Sequence, residues 1–234
     1  MCGRFTLHHS VEEVTERFAA QQTLFDFPSR YNIAPMQPVA VVTQNAHGDG
    51  VRALEGYRWG LVPNWAKDPS VGSKMINARV ETLSEKASFK HALKRRRCLI
   101  PADGFYEWKQ DEKLKTPHYI RFRDNRLWAF AGLWEEWEGA GVGPLRTCTI
   151  ITGPPNPLLS TLHHRMAVIL KPELESAWLD PSVEAEEALA MLTTFPDTEL
   201  EAFPVDKRVG NVVNDDERMI ERVEPKGEEQ LSLL

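Results

Sequence analysis

Apolar residues in this chain recur mainly with a period of two, in short runs broken by Pro, Gly and Asn, so strands are expected to outnumber helices. Val39–Thr43 and Val51–Leu61 read as the two strands of a hairpin around the turn Asn45-Ala46-His47-Gly48-Asp49-Gly50. Cys98–Ile100 and Phe105–Lys109 continue the pattern, as do segments near 118–123, 127–134 and 145–152 and the strand-like Ala167–Leu170. Arg123-Asp124-Asn125-Arg126 reads as a tight turn and the Gly-rich 139–143 as a longer connection.

Helical period is confined to a few places. Ser10 and Glu13 have capping-box form, and Val11, Val14 and Phe18 share a face, which predicts a helix over 11–19. Thr82 and Glu85 repeat that form ahead of Phe89, Ala92 and Leu93, and further helices are expected near 173–179 and 184–193. Residues 20–38, punctuated by Pro28, Pro35 and Pro38, read as loop. The acidic end from Asp215 reads as a poorly ordered tail, so the domain is placed at 1–213 and the tail at 214–234.

A chain of 234 residues, 42% apolar and 26% charged, suffices for one globular domain with a sizeable core. No apolar run reaches membrane-spanning length, and Glu12, Glu13 and Glu16 stand where a secretion signal needs basic and then apolar residues; a cytoplasmic protein is expected. Cys2, Cys98 and Cys148 have neither disulfide nor metal spacing, and the latter two lie in strand-like segments. His163 and His164 are adjacent, but neighbours on an extended chain point opposite ways, so no metal is expected. The net charge of −6 is uneven: residues 1–130 hold 20 Lys and Arg against 14 Asp and Glu, net +6, and the remainder 8 against 20, net −12. The basic half, with Arg95-Arg96-Arg97, is compatible with a phosphate-binding face or with plain solvated surface.

Two positions carry candidate chemistry. Cys2 follows the initiator directly, and removal of Met1 is expected to leave an α-amine beside a thiol, a 1,2-aminothiol. Such a group acts as a nucleophile with its own base, or traps an aldehyde as an imine that the thiol closes into a thiazolidine. An α-amine is about a tenth neutral at pH 7, whereas a lysine is neutral in fewer than about one molecule in a thousand. Within Phe105-Tyr106-Glu107-Trp108-Lys109, alternation sets Glu107 on the face away from Tyr106 and Trp108. A carboxylate among aromatics is a candidate base, or a partner in an ion pair.

Five stretches together resemble one family: Met1-Cys2-Gly3-Arg4-Phe5, Arg30-Tyr31-Asn32-Ile33-Ala34-Pro35, Ile76-Asn77-Ala78-Arg79-Val80-Glu81-Thr82, Ala102-Asp103-Gly104-Phe105-Tyr106-Glu107-Trp108 and Leu162-His163-His164-Arg165-Met166. Val209-Gly210-Asn211-Val212 is a weaker echo. The family is that of the SOS-response-associated peptidases, the abasic-site processing proteins of bacteria and eukaryotes. The resemblance implies a single α+β domain on a curved, barrel-like, mainly antiparallel sheet with flanking helices. It also implies a crosslink to abasic sites in single-stranded DNA through a thiazolidine on Cys2, with lyase cleavage and removal of Met1 by the protein itself as further acts.

Carried over by residue, the family pattern makes Cys2 the nucleophile, Asn77 the group positioning terminus and sugar, Glu107 the proton-transfer carboxylate and His163 the acid/base at the sugar. Arg4, Arg79 and Arg165 would hold phosphates, with Trp65 and Trp108 near the unstacked strand. No cofactor, metal or membrane is implied, and a monomer associated with the nucleoid through DNA is expected. The chain departs from the family pattern at His164, commonly Asn or Asp, at Ala167, commonly Pro, and at Ala66, where some members carry a second Trp. Two other readings stand beside this one. A glutamine amidotransferase also begins Met-Cys-Gly, but continues with an apolar residue where Arg4 stands here. A non-catalytic single-strand binding module would retain DNA regardless of Cys2.

Overall fold

The computed structural model describes residues 2–44, 50–110, 115–139 and 143–224. Its strands, in chain order, are β1 (Phe5–Leu7), β2 (Gln22–Thr23), β3 (Arg30–Ile33), β4 (Pro38–Gln44), β5 (Arg52–Trp59), β6 (Asn77–Arg79) and β7 (Arg97–Ala102), followed by β8 (Gly104–Gln110), β9 (Lys115–Phe122), β10 (Trp128–Trp137), β11 (Leu145–Gly153), β12 (Met166–Ala167) and β13 (Leu200–Pro204). The helices are short: α1 (Val11–Arg17), α2 (Ala87–Arg95), α3 (Pro157–Ser160), α4 (Glu175–Leu179) and α5 (Ala185–Ala190). Among the described residues no helix is long and apolar enough to cross a membrane.

Strands β11, β10, β7, β4 and β5 pair in that order, and β5 returns to β11 through the parallel pairs Thr147↔Arg58 and Cys148↔Trp59, which closes a five-stranded barrel. β7 is buried at every position and β10 at all but Glu136. Both read as near-continuous apolar runs because both of their faces are covered. A second, antiparallel sheet has the order β13-β9-β8-β1-β3. It docks on the barrel through Phe5 of β1 and Phe105 of β8. Phe5 meets Trp59 edge-on at 5.2 Å and Phe130 at 5.9 Å, and Phe105 meets Phe130 at 5.9 Å. Burying such a ring contributes roughly 1.5–3 kcal/mol. The result is the expected α+β domain on a curved, barrel-like sheet.

Several local expectations give way to tertiary pairing. Segment 20–38 is not all loop: β3 pairs antiparallel with β1, and β2 adds to β5. The first capping box forms as expected, but the second does not. α2 starts at Ala87 behind Lys86, and the Thr82 hydroxyl instead donates to the Arg79 carbonyl at 3.4 Å at the end of a 3-10 turn. In the basic run only Arg95 is exposed. Arg96 pairs with Glu135, and buried Arg97 donates to the carbonyls of Leu93 and Trp178 at 2.7 and 2.6 Å. Those donors satisfy helix-end carbonyls, a use that competes with phosphate binding.

The expected helices near 173–179 and 184–193 are realised as a 3-10 turn leading into α4, and as α5. The chain from Asp215 to Glu224 is packed rather than loose. The Asp215 carboxylate accepts the Tyr31 and Asn32 amides at 2.6 and 2.8 Å and pairs with Arg30, while Met219 is buried. The turn at 45–49, the middle of the Gly-rich connection at 140–142 and residues 225–234 lie outside the described residues.

Candidate active site

The antiparallel register of β1 on β8, Phe5↔Phe105 and Thr6↔Gly104, decides what the start of the chain meets. The Tyr106 amide donates to the Arg4 carbonyl at 3.0 Å, which carries the pairing one residue further toward the chain start. Gly104 permits the pairing: a Cβ there would fall 2.1 Å from the Tyr119 hydroxyl. The second sheet thus delivers Cys2 and Glu107, and the barrel delivers Asn77. β6 lies parallel on β11 with Ile150↔Asn77, and Asn77 Nδ2 donates to the Cys2 carbonyl at 2.8 Å. Asn77 Oδ1 is buried with no hydrogen-bond partner among the described residues.

Cys2 is 0% exposed, with Sγ 3.9 Å from the Arg4 carbonyl, and Glu107 is 3% exposed. Burial pushes the Cys2 thiol far up, and the Glu107 charge adds to it, so the thiol rests protonated and needs a base to react. Burial likewise raises the Glu107 carboxyl above the usual carboxylate range, with the α-amino charge pulling the other way. Glu107 is turned away from Tyr106, which packs with Tyr119, Phe203 and Met219 against the edge of Trp108.

Half-buried His163 follows α3. Its ordinary value is lowered, first by burial. The Arg165 backbone presents two partners to His163 Nδ1, its amide at 3.0 Å and its carbonyl at 3.2 Å. A neutral ring accepts from the first and a protonated ring donates to the second, so the imidazole keeps its place in either state. The His164 ring stacks on His163 at 4.2 Å.

The expected DNA-contacting residues fall into different settings. Arg79 is exposed at the end of β6. Arg165 makes a bidentate pair with Glu81 at 2.8 and 3.0 Å and also donates to the Thr152 carbonyl, while its buried Nε has no acceptor among the described residues. Arg4 directs its NH groups at Asn32 Oδ1, the Val209 carbonyl and the Gly210 carbonyl, at 2.8, 2.7 and 3.0 Å, and lies 6.0 Å from the Trp108 ring centre. Trp65 is 62% exposed on a loop anchored by Trp137 Nε1 donating to the Ala66 carbonyl at 2.7 Å.

Sequence reasoning gave no role to Glu81, Thr152 or Asn32, which orient Arg165 and Arg4. Glu81 carried a signal, standing two residues after Arg79 in the same stretch. A separate cavity of about 830 Å³, lined by residues such as Glu13, Arg17, Trp128 and Glu199, shares no residue with this site.

The fold agrees with what comparison finds. The family model described as SOS response associated peptidase matches residues 1–212. Abasic site processing protein YoqW of Bacillus subtilis is 43% identical over 225 residues, covering 94% of this chain and 99% of YoqW. Abasic site processing protein HMCES of Gallus gallus is 36% identical over 215 residues, covering 79% of this chain and 63% of that protein. A phage-related protein of Bordetella bronchiseptica superposes with a TM-score of 0.70 at 29% identity, covering 88% of this chain and 95% of that one. A protein from Bacteroides thetaiotaomicron shares the fold with a TM-score of 0.86 at 24% identity, covering 95% and 100%. This chain belongs to the SOS response associated peptidase family.

Proposed function

We propose that this chain, once Met1 is removed, captures the aldehyde of an abasic site in single-stranded DNA as a thiazolidine on Cys2. The observation that carries the reading is the meeting of two sheets at the chain start, with Asn77 holding the Cys2 carbonyl at 2.8 Å and Glu107 buried on the strand that pairs with β1. YoqW and HMCES are abasic site processing proteins, which supplies the substrate class.

The abasic sugar is mostly a closed hemiacetal. Neutral His163 takes the proton of the anomeric hydroxyl and hands one to the ring oxygen, and the aldehyde opens. The Cys2 amine adds to the carbonyl carbon and passes a proton to its oxygen; Glu107 as neutral acid protonates the carbinolamine hydroxyl, which leaves as water, and an iminium remains. The resulting Glu107 carboxylate takes the thiol proton, and sulfur adds to the iminium carbon, which leaves a neutral thiazolidine and Glu107 protonated again. The balance is one aldehyde plus one aminothiol giving one thiazolidine and one water. Closure is intramolecular and benefits from the high effective concentration of a fixed neighbour. An imine that waits for the thiol loses its β-phosphate instead, which is the lyase branch. In this reading Arg79 and Arg165 take the phosphates and Trp65 and Trp108 the unstacked bases, while the Arg4 NH groups are already engaged by Asn32 Oδ1 and the Val209 and Gly210 carbonyls.

The experiment is denaturing electrophoresis after mixing the protein with single-stranded DNA from which uracil has been excised, with mass spectrometry of the chain start. A shifted band that survives denaturation, lost completely in Cys2→Ala, is expected. Retention of Met1 in the crosslinked form, or a Cys2→Ala protein that still crosslinks, would overturn the reading.

A further inference from the structure

The chain leaves β1 at Leu7 and bends at His9, so the two neighbouring histidines do not point to opposite sides as they would on a strand. Both converge on Asp103, at the corner between β7 and β8. His8 Nδ1 lies 2.9 Å from Oδ1 of Asp103, and His9 Nδ1 lies 3.0 Å from Oδ2. The ligand-type atoms of the three residues all lie within 4.8 Å of one another. We propose that His8, His9 and Asp103 form a binding site for a divalent first-row transition ion of the zinc, cobalt or nickel type.

Four features carry the assignment. The separations are those of ligands already gathered: around an ion with bonds of about 2.1 Å, adjacent donors lie roughly 3.0 Å apart at right angles and about 3.4 Å apart at tetrahedral angles. Little movement of the carboxylate against either ring is required. The carboxylate is also held in place from behind. Its side chain is 1% exposed, Oδ1 accepts from the Thr6 hydroxyl, and Oδ2 accepts the His8 amide at 2.6 Å and the His9 amide at 3.3 Å. Such outer contacts fix a ligating carboxylate, and the hydrogen bond between His9 Nδ1 and Oδ2 is the contact an ion would replace.

Third, His8 Nδ1 is a buried polar atom without hydrogen-bond geometry to any described partner, despite its short approach to Oδ1. A cation between the two atoms would use a lone pair that the protein leaves idle. Fourth, the rings are reachable from solvent, with side chains 28% and 21% exposed, so an ion has a path in and its remaining coordination positions can hold water. Two imidazoles with one carboxylate select a borderline transition ion over magnesium or calcium, which take oxygen ligands. Binding displaces protons from ring nitrogens and weakens as pH falls.

The location gives the site a consequence. His8 and His9 join β1 to α1, and an ion there would tie that junction to the β7–β8 corner. β1 also leads back to Cys2, so the ion would stiffen the strand carrying the candidate nucleophile without touching it. The proposal is independent of the crosslinking reading.

The test uses the full chain, freed of metal with a chelator and then titrated with Co²⁺ by visible absorption and with Zn²⁺ by calorimetry. The wild type should take up about one equivalent, with cobalt ligand-field bands that zinc displaces and a rise in melting temperature. The double substitution His8→Phe and His9→Gln should weaken that uptake at least tenfold and abolish the melting shift. A His163→Gln, His164→Gln protein should keep both. Should the double variant fold poorly without metal, His8→Phe alone, which retains an aromatic ring against Tyr31, makes the same comparison. No saturable equivalent in the wild type, or equal uptake by the His8 and His9 variants, would overturn the proposal.

Discussion

Replacing Asn77 by Ala removes one described hydrogen bond, from Nδ2 to the Cys2 carbonyl at 2.8 Å, and leaves the thiol, Glu107 and His163 chemically intact. A buried hydrogen bond to a neutral acceptor contributes about 0.5–1.5 kcal/mol net, and leaving a buried acceptor unpaired costs roughly 1–3 kcal/mol. A loss of about 1–2 kcal/mol of positioning therefore corresponds to a crosslinking rate roughly 5- to 30-fold slower. Asn77→Asp is more severe, because an ionised carboxylate offers no donor and sets an oxygen against the Cys2 carbonyl and a second charge beside buried Glu107. The expected order of rates is wild type, then Ala, then Asp. Single-turnover time courses on abasic single-stranded DNA, quenched into denaturant and resolved by electrophoresis, read it directly. Melting temperature controls for folding, since about 1 kcal/mol moves a domain of this size by only about 2–4 °C. An Asn77→Ala rate within twofold of wild type, with the fold intact, would refute the claim that this amide positions the terminus.

Glu107→Gln keeps the shape of the buried side chain but cannot shuttle a proton, so crosslinking should slow roughly 10²-fold. Because burial raises the Glu107 carboxyl in the folded state, its contribution to stability relative to Gln is fully present below the ordinary carboxylate value and is lost as pH rises through the raised value. Thermal melts of both proteins across that range check the sign: the wild type should lose stability relative to Glu107→Gln as pH rises, and a wild type that gains on it would contradict the assignment. The lowered value of His163 comes mainly from burial and then the α-amino charge, with the stacked His164 ring contributing in the same direction. His164→Asn should therefore raise the His163 titration midpoint, read by NMR of the ring protons. An unchanged midpoint would leave that stacking without an electrostatic consequence.

What could be read locally was read from period and chemistry. The alternation in Phe105-Tyr106-Glu107-Trp108 sets the face of Glu107, because a strand allows only two faces. The hairpin of β4 and β5 was legible for the same reason, its register running from Pro38↔Arg58 to Gln44↔Arg52. The Ser10 cap was legible because donor and acceptor sit three residues apart.

Other features depended on partners distant in sequence. Thr82 and Glu85 have the letters of a cap, yet α2 starts four residues beyond Leu83. Arg97 looked like one of three surface cations until the carbonyls of Trp178 and Leu93 reached it. Arg30-Tyr31-Asn32-Ile33 became a strand through pairing with β1, and Asp215 became a fixed anchor by accepting the amides of Tyr31 and Asn32. By itself the sequence determined which reactive side-chain types stand at the chain start and in the Phe105–Trp108 stretch and which way neighbours on a strand face, since both are properties of a few consecutive residues. Only the tertiary structure decided that β5 returns to β11, that β6 brings Asn77 to the Cys2 carbonyl and that His8 and His9 both turn to Asp103, because each requires chain segments far apart in sequence to meet in one register.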